Sequence, residues 1–260
     1  MLTRPGIIGL QEDMKGLLAC IRNGKNLHIY GPEGAGKSAL LAWVYSSWRE
    51  IDQSLIPVYC QSSGTLRQIL LCISSFLLGH FKNLESVDKF KRVRKIGRAS
   101  DIKGLSIRAL KDLVFAYLPR RRFCIILDHL ECVTPKINGF LHVLYENALV
   151  ITASRQSWDL ADYSFKGRLD YCLYLVPKLR VENLRRKEAL LLMDRLAGDI
   201  EIGQSQKREL FDEVFRVTSG NPGLITRIFE RAQMPEYRKG GRLNLTLIML
   251  DLRIEEAGGR

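Results

Sequence analysis

The sequence predicts an α/β fold, a three-layer core with a parallel sheet over residues 1–177, followed by a small all-α domain over residues 178–260. Three observations predict it. The run Phe123–Leu127 is continuously apolar, as a strand buried on both faces must be. A glycine-rich octet, Gly31 to Ser38, stands between a short extended segment and a run of good helix formers. After Pro177, apolar residues recur at helical spacing in three successive segments.

With 260 residues the chain can bury a large core and a satellite without disulfides or metals. Hydrophobic residues make up 46 % and charged residues 26 %, a globular composition. The longest apolar stretch, Ile69 to Phe81, is broken by Ser74 and Ser75 and falls short of the roughly 20 residues that cross a bilayer. No membrane span is expected. The first residues lack a basic segment followed by an apolar run, so a cytoplasmic protein is expected. Six separated cysteines, with no CxxC pair, read as reduced, packed thiols. The net charge of +12 draws the protein toward polyanions. Nucleic acid, an acidic protein partner and simple solubility all account for such a charge.

In chain order, Leu10, Met14, Leu17, Leu18 and Ile21 predict an amphipathic helix that Asn23-Gly24 ends. Asn26–Tyr30 reads as a strand, and it leads into Gly31-Pro32-Glu33-Gly34-Ala35-Gly36-Lys37-Ser38, a match to GxxxxGK[ST], with Ala39 opening the helix. This order of strand, loop and helix is that of a P-loop. Gly31, Gly34 and Gly36 let successive amides turn inward toward phosphates at the positive end of the helix. Lys37 supplies a point charge to the β- and γ-phosphates, and the Ser38 hydroxyl a ligand for Mg2+. A second strand is expected at Leu55–Cys60, then helices at about 65–81 and 106–118. The segment between those helices is strongly basic, with Lys89, Lys91, Arg92, Arg94, Lys95, Arg98 and Lys103. Asp128 ends the apolar strand at 123–127, where a P-loop needs a carboxylate for its metal. Ala148–Thr152 is a further apolar strand, ending in Ala153, Ser154 and Arg155. Helical stripes follow at 189–197, 210–218 and 224–232, the last opened by Asn221-Pro222. Residues 243–252 fit a helix or a strand equally.

These motifs resemble the AAA+ and STAND side of the P-loop NTPases, particularly the origin-recognition and transposon-associated ATPases, over about residues 7–233. The resemblance implies a P-loop NTPase core with a helical lid, ATP and Mg2+ as ligands, and ATP hydrolysis. It makes Asp128 the Walker B residue. It makes the strand at 148–155 a sensor strand, from which Thr152, Ser154 or Arg155 would feel the γ-phosphate. Arg168, ahead of an apolar strand ending at Pro177, resembles the arginine finger that reaches a neighbour's γ-phosphate. Pro222 resembles the lid proline that lies near the adenine. Two positions depart from the pattern. His129 stands where a glutamate usually follows the Walker B aspartate, so that Glu131 or His129 would have to activate water. Gly223 stands where many relatives carry a sensor 2 arginine, with Arg227 one turn further on.

The resemblance implies a homo-oligomer that binds nucleic acid and uses ATP to recruit or remodel a partner protein. The first contact expected is DNA on Lys91, Arg92, Arg94, Lys95 and Arg98. The alternative is a STAND-type nucleotide switch with little turnover, regulating a separate protein. A small-molecule kinase fits the basic charge and lid helices poorly, and a GTPase would need an NKxD motif that the chain lacks.

Overall fold

The computed structural model describes residues 8–81, 84–87, 93–159, 172–198, 204–239 and 242–258. In chain order the elements are α1 (Gln11–Arg22), β1 (Leu27–Tyr30), α2 (Lys37–Ser46), α3 (Trp48–Ile51), β2 (Ile56–Cys60) and α4 (Leu66–His80). Then come β3 (Leu84–Val87), β4 (Val93–Ile96), α5 (Ala99–Lys103), α6 (Ile107–Tyr117), β5 (Phe123–Leu127), α7 (Pro135–Asn147), β6 (Leu149–Ser154) and β7 (Lys178–Arg180). The last are α8 (Arg186–Leu196), α9 (Gln204–Thr218), α10 (Pro222–Ala232), β8 (Arg238–Lys239), β9 (Arg242–Leu243) and α11 (Leu245–Gly258).

The described residues group into two compact units. One comprises Asp13–Gly31 and Lys37–Arg180; the other comprises the segment ending at Glu12, the loop Pro32–Gly36 and the chain from Val181.

The first unit is built on a parallel five-stranded sheet in the order β2-β5-β6-β1-β7. All five residues of β5 and all six of β6 are buried, because strands in the middle of a parallel sheet are covered on both faces. Phe123, Ile125 and Leu127 share one apolar cluster with Leu70 and Ile73 of α4, Leu110 and Leu113 of α6, and Phe140 and Leu141 of α7. Each such side chain contributes about 1.5–3 kcal/mol by leaving water. Cys124 and Ile126 alternate to the other face and are equally buried. The fold is α/β with layered helices, as the apolar runs predict.

Three differences from the sequence expectations have physical causes. The basic segment after α4 carries an antiparallel β3–β4 pair, with Leu84 opposite Ile96, and then α5. Its strands are four residues each, with two polar residues between two apolar ones, so they show no alternation. The apolar stretch expected as a strand up to Pro177 is a 3-10 turn at Cys172–Tyr174, and the strand comes after the proline, where β7 pairs with β1. Helix α7 went unread, although Thr134 caps it by accepting from the Ile137 N–H and Pro135 opens it.

The second unit is helical. Met193, Val214, Ile225, Ile228, Phe229, Ile248 and Leu252 form its core. The undecided segment at 243–252 is therefore mainly helix, with Ile248 and Leu252 one turn apart on the buried face of α11. Among the described residues no helix is long and apolar enough to cross a membrane. All six cysteines are free.

Candidate nucleotide-binding site

The loop Gly31–Ser38 begins where β1 ends, and α2 starts at Lys37. Lys37 is buried to 9 % exposure, and its Nζ donates to the Gly31 carbonyl at 2.7 Å, drawing the ends of the loop together. Ser38 is half-buried in the first turn of α2, where the free amides of the helix point. Pro32, Glu33, Gly34 and Ala39 are exposed, Gly36 is half-buried and Ala35 is buried. Gly34 has φ +76°, and a Cβ there would stand 2.4 Å from Asn221 Oδ1, so only glycine passes.

Asp128 follows β5 and is 2 % exposed. Its backbone N–H donates to the Cys60 carbonyl at 2.9 Å, which holds the residue in line with β2. Oδ2 accepts from the Tyr59 hydroxyl at 3.0 Å, and Oδ1 accepts from the His129 N–H at 2.9 Å. His129 takes the left-handed conformation, φ 54°, which turns its ring back toward α2. Its Nε2 lies 3.3 Å from Ser38 Oγ and 3.9 Å from Asp128 Oδ2. Ser38 and Asp128, separated by ninety positions in the chain, therefore flank one imidazole nitrogen. Burial, then the charge and hydrogen bond of Asp128, push the Tyr59 hydroxyl well above its ordinary pKa. Tyr59 was not anticipated. Its signal is the register of β2 on β5, with Tyr59 opposite Ile126, which no local pattern reveals.

No protein-family model matches the sequence, and no curated protein matches it. Solved structures do. A Walker-type ATPase of Pyrococcus abyssi aligns with 99 % of this chain and 77 % of its own, at 16 % identity and a TM-score of 0.63. The Aeropyrum pernix ORC2 protein, in its ADPNP–ADP complexes, covers 94 % and 67 %, at 14 % identity and a TM-score of 0.59. The Thermotoga maritima RuvB Holliday junction branch migration motor covers 96 % and 72 %, at 16 % identity and a TM-score of 0.50. The chain shares the fold of these three proteins, an α/β P-loop core with a helical C-terminal region.

On this fold the other expected site residues are distributed as follows. Glu131 and Arg155 meet. The Glu131 carboxylate accepts from the Arg155 N–H at 3.1 and 3.2 Å and from Arg155 Nε at 3.2 Å. The end of β6 thus holds the acid that follows β5. Thr152 and Ser154 are fully buried and engage His28 of β1: Thr152 Oγ1 lies 2.8 Å from Nδ1 and Ser154 Oγ 3.4 Å from Nε2. Of the three sensor candidates only Arg155 is exposed. Arg168, Lys91 and Arg92 lie outside the described residues. Arg94 and Lys95 are on β4, opposite Ser86 and Glu85, and Arg98 precedes α5 with its side chain exposed. Among the described residues no group of three or more His, Cys, Asp or Glu converges.

Within the helical unit, Asn221 Oδ1 accepts from the Leu224 N–H at 3.0 Å and caps α10, while its Nδ2 donates to the Glu33 carbonyl at 2.7 Å. Pro222 is the first residue of α10. The Gly223 N–H donates to the Gly34 carbonyl at 3.0 Å, and a Cβ on Gly223 would stand 2.9 Å from Gly34 Cα. This approach explains why no arginine occupies position 223. Arg227 pairs instead with Glu255 of α11 at 3.3 Å.

Proposed function

We propose that this protein binds and hydrolyses ATP with Mg2+, oligomerises, binds nucleic acid and uses the nucleotide cycle to recruit or remodel a partner. The observation that carries the reading is the convergence of Lys37 at the start of α2, the Ser38 hydroxyl and the Asp128 carboxylate within one unit. These groups fit the ligand chemically: an ammonium and helix amides for phosphate oxygens, a hydroxyl and a carboxylate for a hard cation. Mg2+, when bound, neutralises charge on the β- and γ-phosphates.

In this reading Pro32–Gly36 and Ala39 line the phosphate cradle, Lys37 offsets phosphate charge, and Ser38 and Asp128 hold the cation. Tyr59 fixes the Asp128 carboxylate, leaving its other lone pairs for the cation's water shell. Pro222 borders the base. Arg155 and, from a neighbouring copy, Arg168 stabilise the γ-phosphate. Glu131 orients the attacking water once its bonds to Arg155 are exchanged. The second reading, a switch with little turnover, draws on that same pair, since a glutamate held by three hydrogen bonds is not positioned as a base. The basic segment with Lys95 and Arg98 is the proposed DNA contact, supported by the +12 charge. The ORC2 and RuvB neighbours make nucleotide and DNA the ligands to test first.

Steady-state turnover with and without DNA, for the wild type and Glu131→Gln, tests the proposal. Turnover that DNA raises and the substitution abolishes is the expected result. Turnover absent in both conditions, with ATP still bound, favours the switch.

A further inference from the structure

We propose that His129 Nε2 is itself a ligand of the divalent cation bound with the nucleotide, and that the site consequently prefers a first-row transition ion such as Mn2+ to Mg2+. The inference deepens the nucleotide reading above and rests on it.

The geometry of the residue carries it. His129 adopts φ 54°, a conformation that a side chain with a Cβ rarely takes. Hydrogen bonds on either side hold it there: its N–H is taken by Asp128 Oδ1 at 2.9 Å, and the next N–H, of Leu130, donates to the Ala153 carbonyl at 2.8 Å. The ring is 61 % exposed, yet Nε2 is directed back to 3.3 Å from Ser38 Oγ. Adjacent ligands of a six-coordinate cation with bonds of 2.0–2.1 Å stand roughly 3 Å apart. Ser38 Oγ and His129 Nε2 are close to that separation, on the face where Ser38 would hold the metal. Asp128 Oδ2, 3.9 Å from the same nitrogen, is within reach of a water that the cation retains.

The donor set then determines the ion. Mg2+ takes oxygen ligands and parts with water reluctantly, whereas imidazole suits Fe, Ni, Cu and Zn, the first-row series of which Mn2+ is the weakest-binding member. Exchanging one oxygen of the shell for an imidazole nitrogen shifts selectivity toward the latter. His28 is not an alternative nitrogen donor, because both its ring nitrogens are engaged, Nδ1 by Thr152 and Nε2 by the Gln156 carbonyl at 2.8 Å.

The test uses the full chain with Mn2+ and ADP as probes. Electron spin-echo envelope modulation of the Mn2+·ADP complex reads a directly bound imidazole nitrogen, and calorimetry reads ADP affinity with Mn2+ and with Mg2+. Two variants, His129→Gly and His129→Asn, keep the left-handed backbone, since these residues tolerate it. The expected result is nitrogen coupling in the wild type and none in either variant, with the Mn2+ to Mg2+ affinity ratio falling about tenfold or more. A wild-type Mn2+·ADP complex without nitrogen coupling, or an unchanged ratio in both variants, overturns the ligation and leaves the nucleotide reading standing. Failure of the wild type to bind ADP with either cation overturns both.

Discussion

Tyr59 ties the proposed metal carboxylate to the sheet, and its protonation state sets a pH window. Its folded pKa is raised, first by burial and then by Asp128, above an ordinary value of 10.0. Below about pH 10 the hydroxyl is protonated in the folded and unfolded chain alike, and its bond to Asp128 contributes fully. As pH rises past that point the unfolded chain ionises first, so it binds fewer protons than the folded chain and stability falls. Tyr59→Phe removes this dependence. Denaturant titrations between pH 9 and 11 should show the wild type losing stability faster than the variant. The difference is bounded by about 1.4 kcal/mol per pH unit and reduced by solvent, since the ring is half-buried. Parallel slopes would show that Tyr59 does not titrate against Asp128. Glu131 and Arg155 belong to the same scale. Both were legible as candidates, yet their mutual bond was not, because it depends on β5 and β6 ending side by side.

At the scale of elements, the start of α10 shows how one residue serves two structures. Asn221 caps the helix and also donates to the Glu33 carbonyl in the glycine loop. Asn221→Ala loses both bonds and a third, from Nδ2 to Asn183 Oδ1 at 3.2 Å, and should cost about 3 kcal/mol, a cap of about 1 and two hydrogen bonds of about 1 each. Asn221→Ser keeps a capping oxygen but is too short for the loop and for Asn183, and should cost about two thirds as much. No loss for Asn221→Ser in chemical denaturation would show that the amide's bonds contribute nothing, and equal losses in the two variants that the cap contributes nothing. The helix and its cap were readable from Asn221-Pro222, because capping is chemistry local to a few residues. The bond to Glu33 was not, because it spans 188 positions. Elements with a strong period or an unbroken apolar run, α1, β5, α8 and α10, were readable for the same reason. The short strands β3 and β4 are defined by pairing with each other and show no such signature.

For the whole molecule, an excess of 40 basic over 28 acidic residues makes attraction to polyanions general, while in the proposed function the glycine loop, Ser38 and Asp128 make one polyanion specific. A bulk charge alone would bind ATP weakly and would barely notice the loss of a single lysine. A built cradle would depend on it, because the buried Lys37 ammonium is bonded to the Gly31 carbonyl and, in the proposed function, also meets phosphate. The most direct measurement is calorimetric titration of ATP with a divalent cation into the wild type and Lys37→Ala at physiological salt. Removing a charge-assisted contact of roughly 3 kcal/mol predicts an affinity about a hundredfold weaker in the variant. Equal affinities would contradict a phosphate site at Gly31–Ser38.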